Sequence, residues 1–192
     1  MSKPIVEDDQ PLSSEPPDPS QGGCPVNIYI DAQNAPFPID EASFDEFIRL
    51  LLTASGESDA EISISFVSDS IIQDLNRRHR GQDRPTDVLS FSLREGEPVG
   101  QLFPLGDLVI SVETAKRQAE FFGNRFDEEI KELLFHGFLH LLGHDHEGAA
   151  RPEWDQAEKR LIGEMKRRGS AYRPKGLNPE SINHIKKEGR KT

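Results

Sequence analysis

The stretch from Leu133 to Gly143 is apolar on nearly every side, with Leu133, Leu134, Phe135, Phe138, Leu139, Leu141 and Leu142, yet it carries histidines. Four of the chain's six histidines fall in the run His136-Gly-Phe-Leu-His140-Leu-Leu-Gly-His144-Asp-His146. Such a segment reads as a buried helix, and its imidazoles are at least partly buried with it. Burying several imidazoles without partners costs free energy for each one. A shared metal ion satisfies them together, so the run favours a fold that gathers these rings around a cation over one in which each core histidine finds its own partner.

The spacing selects three of the four. His136 and His140 are four apart, so on a helix their rings share a face. His144 continues that series, but on a straight helix it lies about 12 Å from His136 at 1.5 Å per residue. Zinc–nitrogen bonds are only ~2.0–2.1 Å, so all three could not reach one ion. Gly143 lets the chain leave the helix and turn back, which brings in His146 instead. Three nitrogen ligands with a fourth place open for water is the pattern of a catalytic zinc. His144 and Asp145 then become candidates to orient a ligand imidazole. The spacing coincides with the zinc-ligand spacing of metzincin proteases, a zincin-like metal-binding helix. Those enzymes need Glu directly after the first His as general base. Here that position is Gly137, which can move no proton, so a protease of that type is disfavoured.

The rest of the chain supports one domain with tails. Residues 1–25 hold Pro4, Pro11, Pro16, Pro17, Pro19 and Pro25 among Ser, Asp and Glu, a composition expected to be disordered. Residues 173–192 read the same way, leaving a globular part at 26–172. Residues 1–50 carry ten acids against Lys3 and Arg49, whereas 166–192 carry nine Lys/Arg against Glu180 and Glu188, inside a net charge of −11. That asymmetry is compatible with a polyanion contact or with a solvated tail. Cys24 is alone and can form no internal disulfide. The longest apolar run is about half a bilayer span, and the N-terminus has no signal-peptide core, so a cytoplasmic protein with no membrane contact is expected. Val26–Ile30, Ile62–Phe66, Thr86–Leu93 and Leu108–Val112 read as strands. Asp40–Ala54, a segment after Ser68 or Asp69 ending near Gly81, Ser111–Phe122, Asp127–Leu142 and 152–168 read as helices. The order β-α-β-α-β-β-α-α-α predicts an α/β (α+β) fold, a small mixed sheet of about four strands packed with about five helices.

Beyond the histidine run, Leu75–Phe91 (LNRRHRGQDRPTDVLSF) and Leu105–Ser111 (LGDLVIS) follow one another in an order that resembles the YbeY family of bacterial endoribonucleases. The resemblance implies one Zn²⁺ held by His136, His140 and His146, and a functional arginine at Arg80. It implies single-strand-specific cleavage in late ribosomal RNA maturation (the 3′ end of 16S rRNA) and ribosome quality control, with precursor ribosomal RNA and the small ribosomal subunit as partners. Ser92 departs from the family, which often has proline there. A guanidinium near zinc can hold a phosphodiester through paired hydrogen bonds and neutralise developing charge, which suits Arg80. Arg77, three residues earlier, could face the same way, or either arginine could be a solvated cation paired with Asp74 or Asp83. Asp87, Ser90 and Asp107 read as structural, and Trp154 and the phenylalanines as core rather than base-stacking platforms. No general base is assigned beyond Asp145 or Glu147 as candidates. The alternatives are a metal-dependent hydrolase of a peptide or amide bond, and a non-enzymatic ribosome-assembly factor with structural zinc.

Overall fold

In the middle strand Ile62, Ile64 and Phe66 alternate with Glu61, Ser63 and Ser65, the period of a chain buried on one face. The computed structural model describes residues 27–94, 103–146 and 150–175; the expected disordered stretch 1–25, and 176–192 of the basic tail, lie outside the described residues. The elements are β1 (Asn27–Asp31), α1 (Glu41–Ser55), β2 (Ala60–Val67), α2 (Asp69–Arg80), β3 (Val88–Ser92), β4 (Phe103–Ser111), α3 (Val112–Phe122), α4 (Phe126–Leu141) and α5 (Arg151–Arg167). Their order is the expected one. The sheet runs β1-β2-β4-β3, with β1, β2 and β4 parallel and β3 antiparallel at one edge. Among the described residues no helix is long and apolar enough to cross a membrane.

The sheet divides two cores. Ile62, Ile64, Phe66, Leu108 and Ile110 face α1, α4 and α5, burying Leu51, Leu52, Phe138 and Leu161 with them. The opposite face, with Val67, Leu89 and Val109, is covered by Ile72 of α2. The start of α2 is held from a distance. Ser68 makes no side-chain cap, and the Asp69 N–H donates to Glu113 Oε2 of α3 at 2.7 Å. The Asp69 carboxylate in turn accepts from Ser111 Oγ, Thr114 Oγ1 and Arg117, which ties the two helix N-termini together.

Strand β4 begins five residues before the expected Leu108, because Pro104 and Gly106 look like breakers in one dimension. In the sheet they belong to a bulge: Pro104 pairs with Glu61 and Gly106 with Ile62, which leaves Leu105 over. Leu105 is buried in the main core. Gly106 has φ +139°, and a Cβ there would lie 2.1 Å from the Phe91 carbonyl oxygen. Gly137 of α4 is similarly tight, its Cβ site being 2.8 Å from Leu108 Cδ2 and 3.3 Å from Val88 Cγ2. The helix therefore lies directly against β3 and β4.

Gly106→Ala is expected to lower unfolding free energy by roughly 2–5 kcal/mol, since strain and a backbone clash act together. Gly56→Ala, at φ +85° with no atom within 4 Å, should cost only about 1–2 kcal/mol. Urea unfolding of the two variants separates the contributions.

Candidate metal centre

Helix α4 ends in a Schellman turn. The Gly143 N–H donates to the His140 carbonyl (2.9 Å) and the His144 N–H to the Leu139 carbonyl (3.1 Å), with Gly143 at φ +86°. This left-handed residue reverses the chain and carries His146 back over the face that presents His136 and His140. One ring nitrogen from each of the three histidines lies within 4.8 Å of the other two. His136 Nε2 and His140 Nε2 are 3.1 Å apart. A tetrahedral ion with ~2.0–2.1 Å bonds to nitrogen needs its ligand atoms about 3.3 Å apart, so the donor set fits such an ion.

Burial and electrostatics prepare these rings. Burial pushes the His136 pKa down to about 3, with His140, His146 and Arg151 adding to the effect. Burial also lowers His140, with the field of His146 and more weakly of Arg80 acting the same way, while Asp145 opposes them. Both rings are neutral near pH 7, the state in which imidazole binds a cation. The indole of Trp154 on α5 roofs the cluster, its centroid 4.9, 5.0 and 5.0 Å from the rings of His136, His140 and His146. Assigned to the core from sequence, Trp154 is buried, and it also packs on all three candidate ligands.

The other candidates separate in space. Arg80 ends α2, exposed, and among the described residues makes no ion pair; its charge reaches His140. Arg77 instead pairs with Asp74 at 2.5 Å. His144 is outside the triad and lies in the field of Arg160, Glu153 and Arg94. Glu147 is outside the described residues. The Asp87 carboxylate accepts from the Val88 N–H and from Gln118 Nε2, both at 2.9 Å, anchoring β3 to α3. Position 137 faces Leu108, Ser90 and Val88, so a glutamate has no room there and would not point at the triad.

Two acids were not singled out in the sequence. Glu129 and Glu132 lie seven and four residues before His136, so they extend its face of α4 into the core, at 2% and 6% exposure. Glu132 Oε1 accepts the Lys175 backbone N–H at 2.8 Å, and Lys175 Nζ reaches Glu128 Oε2 at 2.7 Å. The i−4 spacing from His136 is the signal that could have found Glu132.

The Endoribonuclease YbeY family matches residues 29–165 of the chain. An Endoribonuclease YbeY of Halalkalibacterium halodurans is 49% identical over 135 residues, 63% of this chain and 84% of that protein. One of Moorella thermoacetica is 42% identical over 136 residues, 65% of this chain and 87% of that protein. A solution structure of a Thermotoga maritima protein superposes with a TM-score of 0.51 at 26% identity, covering 79% of this chain and 97% of that one.

Burial raises the Glu132 pKa from 4.5 to about 7, against the opposing hydrogen bond from the Lys175 backbone N–H. A carboxyl whose folded pKa exceeds its unfolded one favours folding when protonated, so this contribution to stability grows as pH falls from about 7 to about 4.5. Glu132→Gln is expected to be more stable than the wild type by about 1–3 kcal/mol at about pH 8, with the gap closing by about pH 5. Urea titrations at the two pH values measure it.

Proposed function

The chain belongs to the YbeY family of endoribonucleases, and from that premise we propose that it hydrolyses RNA phosphodiester bonds at a single zinc ion held by His136, His140 and His146. The observation that carries this reading is the convergence of three half-buried imidazoles beneath Trp154, two of them kept neutral by burial. When bound, such an ion polarises a phosphoryl oxygen and acidifies water.

The chain's own residues supply the rest. Arg80, free of any ion pair among the described residues, clamps the phosphate through paired hydrogen bonds and stabilises the charge that develops on it. Asp145 draws positive charge towards His140 and is the candidate proton acceptor. Trp154 fixes the three rings from behind and keeps water off that side. Position 137 offers no base, which argues against peptide hydrolysis by the zincin route. The substrate we propose is precursor ribosomal RNA at the 3′ end of the 16S species, met on the small ribosomal subunit in the cytoplasm.

Purified protein should contain about one zinc per chain, and His140→Ala should lose both ion and cleavage while still unfolding cooperatively. Arg80→Ala should keep the ion and lose about 10²–10³ in kcat on a single-stranded RNA. Cleavage by metal-free His140→Ala rejects the mechanism, and unfolding on chelation assigns the ion a structural role instead.

A further inference from the structure

Strand β3 emerges from the minor core as it runs. On the face covered by α2, Leu89 is fully buried and Phe91 is half-buried, and Leu93, just past the strand, is 49% exposed. The last turn of α2 lies beside this emerging row. There the exposed ring of His79 meets Phe91 edge to face, with centroids 5.0 Å apart at 68°. The next residue is Arg80. The next residue of the strand touches α4, where Ser92 Oγ donates to the Leu141 carbonyl at 3.2 Å, one residue beyond His140. The aromatic pair thus sits at the sheet edge, one residue from Arg80, whose charge reaches His140, and one residue from the strand position that contacts the end of α4.

We propose that His79 and Phe91 form a nucleobase-stacking subsite, which holds the unpaired base of a nucleotide flanking the phosphate clamped by Arg80. The proposal rests on the RNA-cleavage reading above and adds a base contact to it. Every base has a π-face, so an aromatic platform binds unpaired bases with little regard to sequence. Bases inside a duplex have both faces covered by neighbours, so such a subsite also selects single strands. No run of basic and aromatic residues signals this in the sequence, because His79 and Phe91 come from different elements. A second aromatic pair among the described residues, the exposed Phe121 and Phe122, closes α3 next to the start of α4, at the end of that helix remote from the histidines.

The test uses zinc-loaded protein and a short single-stranded RNA with 2-aminopurine beside the cleaved phosphate. Fluorescence quenching is read on mixing, before cleavage, and KM and kcat are read afterwards. His79→Ala should raise KM about 5- to 150-fold, the range for one stacked base, and abolish the quench, with kcat changed far less. His79→Phe should restore both, His79→Lys should restore neither, and Phe121→Ala should match the wild type. A wild-type KM and quench in His79→Ala overturn the subsite while leaving the cleavage reading standing. Rescue by Lys and not by Phe overturns it in favour of a phosphate contact. A quench that depends on His79 in a protein that cleaves nothing supports the subsite and removes the cleavage reading.

Discussion

The approach of α4 to the sheet at Gly137 governs the geometry of the whole centre. With no side chain at that position, the helix axis sits a methyl group closer to β3 and β4 than any other residue would permit. Side chains in the interior are packed as tightly as in organic crystals, so that distance is not adjustable. It determines how far His136 and His140 stand from the sheet. It also removes the one position at which a zincin would carry its base. The same contact that assembles the centre thereby narrows its chemistry.

The second constraint is the reversal after His140. A helix alone offers two imidazoles on one face, and the third must come from elsewhere. The left-handed Gly143 supplies it by the shortest route, with both Schellman hydrogen bonds satisfied. The candidate ligands are therefore local in the chain, while what surrounds them is not. Trp154 arrives from α5, Arg80 from α2, and the field of Asp145 from the turn itself. Candidate ligands close together on a rigid helix, with tertiary neighbours around them, are an arrangement suited to a precise cation site.

What could be read from the residues follows the same division. The element order, the mixed sheet and the triad were legible because hydrophobic period, glycine stops and histidine spacing are short-range signals. The early start of β4 was not, since Pro104 and Gly106 signal a break and only pairing with Glu61 and Ile62 shows a bulge. Helix α2 does start after Ser68, but the acceptor for its first free N–H was not legible, because Glu113 lies 44 residues from Asp69. Trp154 was read as core, correctly as far as burial goes, but its contact with three imidazoles depends on where α5 docks. The pairing of His79 with Phe91 is invisible for the same reason.

Trp154 is the chain's single tryptophan. Its indole lies against each of the three imidazoles at once, with no second indole elsewhere to dilute its emission. Any cation drawn in among those rings changes the charge a few ångströms from the chromophore. The protein thus carries an intrinsic optical gauge of its own centre, built from the residue that shields it.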